Sequence, residues 1–85
     1  MVEERGGFPI HPYKSAAAFE KWLERNHASS PGIWVKIGKK ANPAPSITYD
    51  EAVEVGLCFG WIDGLKNSYD ADWFIQRFTP RRPKS

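Results

Sequence analysis

The stretch Leu57-Cys58-Phe59-Gly60-Trp61-Ile62-Asp63-Gly64 changes the chain's period from helical to extended, and the fold is read outward from it. On its N-terminal side Tyr49, Ala52, Val53, Gly56 and Leu57 recur at helical spacing. Thr48-Tyr49-Asp50-Glu51 has the form of a capping box, so a helix starts there and runs to about Phe59. Val55, Cys58 and Phe59 spread apolar surface around this cylinder, which predicts burial on more than one side and an inert Cys58 thiol. Gly56 lowers helix propensity by about 1 kcal/mol relative to Ala, a cost understood if another backbone packs closely there. Gly60 is a natural left-handed stop. On the C-terminal side residues 61–66 and 73–78 read as strands, joined by the polar residues 67–72 as a hairpin.

Farther upstream, Ser15 is an N-cap before Ala16, Ala17 and Ala18, and a helix follows to about Ala28. Its stripe is Phe19, Trp22 and Leu23, extended by Asn26 and His27, and Ser29-Ser30-Pro31-Gly32 ends it. Residues 33–39 alternate, with Ile33, Val35 and Ile37 on one face, as a half-buried strand does. Residues 39–46, with Pro43 and Pro45, form a loop. Residues 1–14 contain Gly6, Gly7, Pro9 and Pro12 without periodicity and read as an extended leader, with Phe8, Ile10 and Tyr13 docked on the domain edge. The expected fold is therefore α+β in the order α-β-α-β-β, two helices packed on a small, mainly antiparallel three-stranded sheet. The expected division is leader 1–14, domain 15–80 and basic tail 81–85.

At 85 residues, 41% hydrophobic and 14% aromatic, the chain supports one core. A domain this short buries only about 60 to 65% of the surface of its unfolded chain, and four Trp, five Phe and three Tyr offset that deficit. Cys58 is the sole cysteine, so no internal disulfide forms, and a reducing, cytoplasmic setting is the expectation. The N-terminal residues lack the order of a signal peptide, and no apolar run approaches the roughly 18 residues of a span, so membrane insertion is not expected. A formal charge of +2 is too mild to name nucleic acid or a membrane as partner. Its distribution says more: Arg77, Arg81, Arg82 and Lys84 crowd the last nine residues with no acid among them, which places an anion-seeking surface at the C-terminus.

The chemistry-bearing residues each admit two readings. Asp63, in an aromatic neighbourhood, is either a general acid or base with a raised pKa or a structural residue that fixes a turn or pairs with Arg77, Arg81 or Arg82. Arg77-Phe78-Thr79-Pro80-Arg81-Arg82-Pro83-Lys84-Ser85 is either a clamp for phosphate or carboxylate or a solvated tail. Trp34, Trp61 and Trp73, near Lys and Arg, are either stacking platforms for single-stranded nucleic acid or packed rings. Cys58, His11 and His27 make no metal-ligand spacing, and there is no glycine-rich phosphate loop, so neither a metal nor a cofactor is called for.

FEKWLERNH at 19–27, IWVKIGKK at 33–40, SITYDEAV at 46–53, LCFGWIDG at 57–64 and RFTPRRPKS at 77–85 stand in a specific order. Together they closely resemble the bacterial YdeI/OmpD-associated, bacteriocin-protection-like family, over about residues 8 to 85. The resemblance implies a small α+β protein connected with protection phenotypes and supplies no reaction. It also implies a Trp-Ser-x-x-Asn segment and a further helix beyond Ser85, so the chain reads as a short version of that family or as part of its fold. The resulting expectation is a binding or interaction module in bacterial stress or antimicrobial protection, with an anionic ligand or a protein as partner. Trp61, Asp63, Arg77, Arg81, Arg82 and Lys84 are its candidate binding residues. A nucleic-acid-binding domain using the basic C-terminal segment and a small enzyme built on Asp63 and the arginines are the alternatives.

Overall fold

The computed structural model describes residues 4–40 and 42–81. Its elements are β1 (Glu4–Arg5), β2 (Phe8–Pro12), α1 (Ala16–Asn26), β3 (Ile33–Gly38), α2 (Tyr49–Cys58), β4 (Trp61–Ser68) and β5 (Trp73–Pro80). The helix starts follow their capping chemistry. Ser15 Oγ accepts from Ala18 N, and at α2 the Thr48 hydroxyl and the Glu51 carboxylate each accept the other residue's amide. Gly60, at φ 74°, turns the chain from α2 into β4.

The sheet corrects the expected architecture. It has five strands, not three, in the order β1-β2-β3-β5-β4, and the element order is β-β-α-β-α-β-β. It is also mixed: β2 runs parallel to β3, while the β1–β2, β3–β5 and β4–β5 pairs are antiparallel. The residues read as an extended leader thus supply two strands, with Ile10 opposite Trp34 and buried. Pro9 and Pro12 hid this strand because proline removes ladder donors. It is tolerated here because β2 has only the two-residue β1 on its outer side and Pro12 is the strand's last residue. Helix α1 is then the crossover that parallel neighbours require.

Both helices cover one face of the sheet. Phe19, Leu23 and Ala52 from the helices meet Ile33, Val35, Ile37, Trp61 and Phe78 from the strands in the main core. Phe8, Ile10, Trp34, Tyr69 and Ile75 form a smaller cluster on the helix-free face. Gly56 is where α2 approaches the sheet: a Cβ there would lie 3.4 Å from both the Phe78 ring and the Trp61 carbonyl, as its place in the helix led us to expect. The burial expected all around α2 is not found. Leu57 is 57% exposed and Cys58 is exposed, because α2 has α1 on one flank and the sheet beneath while its outer flank faces solvent. No helix among the described residues is long and apolar enough to cross a membrane.

Candidate functional site

A β-bulge builds the site. Asp63 pairs with Phe78 and Lys66 with Gln76, so three steps along β4 match two along β5. Side chains alternate faces at each step, and an odd separation would normally send Asp63 and Lys66 to opposite sides. The extra residue returns Lys66 to the side of Asp63, Gln76 and Phe74, which is the helix-bearing face. Bulges recur beside functional sites because they re-aim side chains in this way.

Around the bulge lies an open depression of about 380 Å³, lined by Tyr49, Asp63, Gly64, Lys66, Phe74 and Gln76. Tyr49, in the first turn of α2, donates its hydroxyl to Asp63 Oδ2 at 2.7 Å. That hydrogen bond, with smaller contributions from burial and from the charges of Asp63 and Asp50, raises the Tyr49 pKa above its ordinary value. Gln76 is a buried polar side chain, 2% exposed, in a strand face that is otherwise apolar; its Nε2 donates to the Gly64 carbonyl at 2.7 Å and pins the bulge. Lys66 Nζ stands 4.6 Å from the centroid of the Phe74 ring.

Lys66 and Phe74 also line an adjoining depression of about 510 Å³, whose other walls include Lys39 and Lys40. The two lysines are held there by the backbone. Lys39 N and Asn42 Nδ2 both donate to the Asp72 carbonyl, at 2.9 and 3.0 Å, and tie the turn after β3 to the β4–β5 turn. The β4–β5 turn is itself fixed by Asp70 Oδ1, which accepts from the amides of Asp72 and Trp73. Asn42 Oδ1 accepts from Ala44 N and braces the loop on its other side. Among the described residues none of the three lysines has an ion-pair partner.

The residues named from sequence do not converge on one cleft. Trp61 is 1% exposed and belongs to the main core, where its ring meets Trp22 edge-on. Asp63 lies in the bulge depression with Tyr49 as its partner. Arg77 is opposite Trp34 and therefore projects from the helix-free face, where its guanidinium sits 4.8 Å from the Trp34 ring and 5.0 Å from Phe8. The Asp63–Arg77 pairing inferred from the hairpin fails for this reason: the register sets Asp63 against Phe78, and the neighbouring Arg77 points the other way. Arg77 Nε is buried without a hydrogen-bond partner among the described residues. Arg81 donates its backbone N–H to Gly60 O at 2.7 Å and lines a separate depression with His27, Ser29, Ser30 and Thr79. Arg82 and Lys84 lie outside the described residues.

Tyr49, Lys39, Lys40, Lys66, Phe74 and Gln76 were missed. Gln76 was the readable signal, since a polar residue midway along an apolar strand face marks something that must be hydrogen-bonded. The bulge had no sequence signal stronger than Gly64 inside a strand pattern. No group of three or more His, Cys, Asp or Glu side chains among the described residues is placed to hold a metal ion.

Two helices over one face of a five-stranded mixed sheet, with a polar groove at its bulged edge, define a small two-layer α+β domain. The chain belongs to a family described as a domain of unknown function (DUF8412), which matches residues 11–85. No curated protein and no solved structure matches it.

Proposed function

We propose that the domain is a ligand-binding module that takes an anionic group in the paired depressions at the β4 bulge. One observation carries this reading: Lys39 and Lys40 from the loop after β3 and Lys66 from the bulge line one hollow beside Phe74, none of them neutralised by a carboxylate among the described residues. Three lysines without an ion-pair partner among the described residues, lining one hollow with an apolar ring, attract a phosphate or carboxylate and leave room for an apolar portion of its bearer. The role we assign is in bacterial stress or antimicrobial protection, the context implied by resemblance to the YdeI/OmpD-associated family. The lone thiol fits a cytoplasmic setting within that proposal. Titrating inorganic pyrophosphate into the labelled protein tests the site: amides of residues 39, 40, 42 and 64–68 should shift, and the double substitution Lys39→Ala, Lys40→Ala should remove most of the effect. Shifts confined to other residues would sink this placement.

The nucleic-acid reading retains one observation of its own. On the helix-free face Lys36 Nζ lies 4.4 Å from the Tyr69 ring and 4.9 Å from the Trp73 ring, beside the Arg77–Trp34–Phe8 stack. Cations interleaved with aromatic rings suit single strands. Oligonucleotide binding that falls steeply with salt and is lost in Lys36→Ala would favour it. The enzyme alternative required Asp63 and Arg77 in one cleft, and they occupy opposite faces of the sheet.

A further inference from the structure

The groove is electrically polar. Its Lys39–Lys40 end and Lys66 are cationic, while its α2 end carries the carboxylate of Asp63, with Asp50 close enough to Tyr49 to disfavour that phenol's ionisation. Asp63 and Lys66 line the same depression yet form no ion pair, so neither charge is neutralised by the other. Only one oxygen of Asp63 is engaged: Oδ2 accepts from Tyr49, which fixes the carboxylate's orientation, and Oδ1 has no protein hydrogen-bond partner among the described residues. A purely anionic ligand filling both depressions would press its charge against Asp63.

From this we infer that the natural ligand is dipolar, a phosphate or carboxylate joined through a short apolar link to a protonated amine. The anion lies among Lys39, Lys40 and Lys66, the link passes along Phe74, and the ammonium donates to Asp63 Oδ1. Tyr49 is a positioning residue in this arrangement: its hydroxyl occupies Oδ2 and turns the other oxygen to the groove. Gln76, by holding Gly64, keeps the bulge that sets Asp63 and Lys66 on one side. The inference rests on the anion-binding reading, and the two are separable by experiment.

The test compares ethyl phosphate with O-phosphoethanolamine, which differs by the terminal ammonium, using amide-shift titrations on the intact chain. Because Asp63 is exposed, the added ion pair is modest, and O-phosphoethanolamine should bind about threefold to fivefold more tightly. Asp63→Asn should abolish that preference while strengthening ethyl phosphate slightly, since a negative charge near the anion is gone. Tyr49→Phe, which keeps the carboxylate, should retain a preference, and its amide spectrum serves as the folding control for this pair. Lys66→Ala should weaken both probes together. Equal binding of the two probes by the wild type, or a preference that survives in Asp63→Asn, overturns the dipolar ligand and leaves the anion site standing. Failure of both probes to shift the groove amides overturns both readings.

Discussion

Asp63 and Lys66, three residues apart on one strand, stand on the same side of the sheet, and the intervening bulge is what puts them there. Without it the alternation of β4 would place one of them with the helices and the other on the opposite face. The Tyr49–Asp63 hydrogen bond then links this edge strand to the first turn of α2.

That bond makes a prediction about titration. A phenol donating to a carboxylate resists ionisation, so Asp63→Asn should move the Tyr49 titration to lower pH. The ring-carbon resonance of Tyr49 followed from neutral to alkaline pH reports it directly. An unmoved midpoint would mean that the two side chains are apart in solution.

His11 should make stability depend on mildly acidic pH. Its ring packs against Tyr13 and Trp22, and burial lowers its pKa from 6.5. With the folded pKa below the unfolded one, stability is full above about 6.5 and declines as pH falls through the folded value, because the unfolded chain takes up the proton more readily. Urea midpoints between about pH 8 and pH 5 should therefore fall less steeply in His11→Gln than in the wild type. Parallel slopes would remove His11 from this role.

Leu23 is fully buried between α1 and the sheet. Leu23→Ala removes its apolar contacts and leaves a cavity, at a cost of roughly 2 to 5 kcal/mol. For so small a domain that is a large part of the total. Denaturant unfolding measures it, and a loss under about 1 kcal/mol would show that the site collapses to fill the void.

Gly60 has open space where a side chain would stand, so only its backbone angle opposes substitution. Gly60→Ala should cost about 1 to 2 kcal/mol through left-handed strain alone. Gly60→Asn should recover part of that loss, since asparagine tolerates this region better. Thermal melts of the two variants, compared with each other, separate strain from packing.

Cys58 should react with a thiol dye in native buffer nearly as fast as in denaturant, because it lies on the solvent side of α2. Protection by more than about tenfold in the native state would require a cover over that flank.

The helices and three of the strands were legible because each carries a local cause. Ser15 and Thr48 cap, Gly60 stops, and the Ile33–Val35–Ile37 alternation has one buried face. The first two strands were hidden because Phe8–Pro12 spends two of five positions on proline, and its place depends on pairing with a strand more than twenty residues later. The site was partly legible: Asp63 was named, but its partner was not. Adjacency on a hairpin suggested Arg77, whereas the register and the bulge assigned Tyr49 from another element. Cys58 was misplaced because helical apolarity records which residues avoid water, not whether a neighbouring element exists to cover them.

The parallel β2–β3 pair has a consequence for biosynthesis. Strand β3 is bonded on one side to β2 and on the other to β5, so its neighbours come from opposite ends of the described chain. During translation the central strand is made early and waits with one edge unsatisfied until the last strand has emerged. Local helix formation cannot shorten that wait, because the missing partner is set by distance along the polypeptide. The nascent domain is therefore exposed to strand-edge association until synthesis of β5 is complete, and a ribosome stalled before that point leaves a chain that chaperones or proteases must handle.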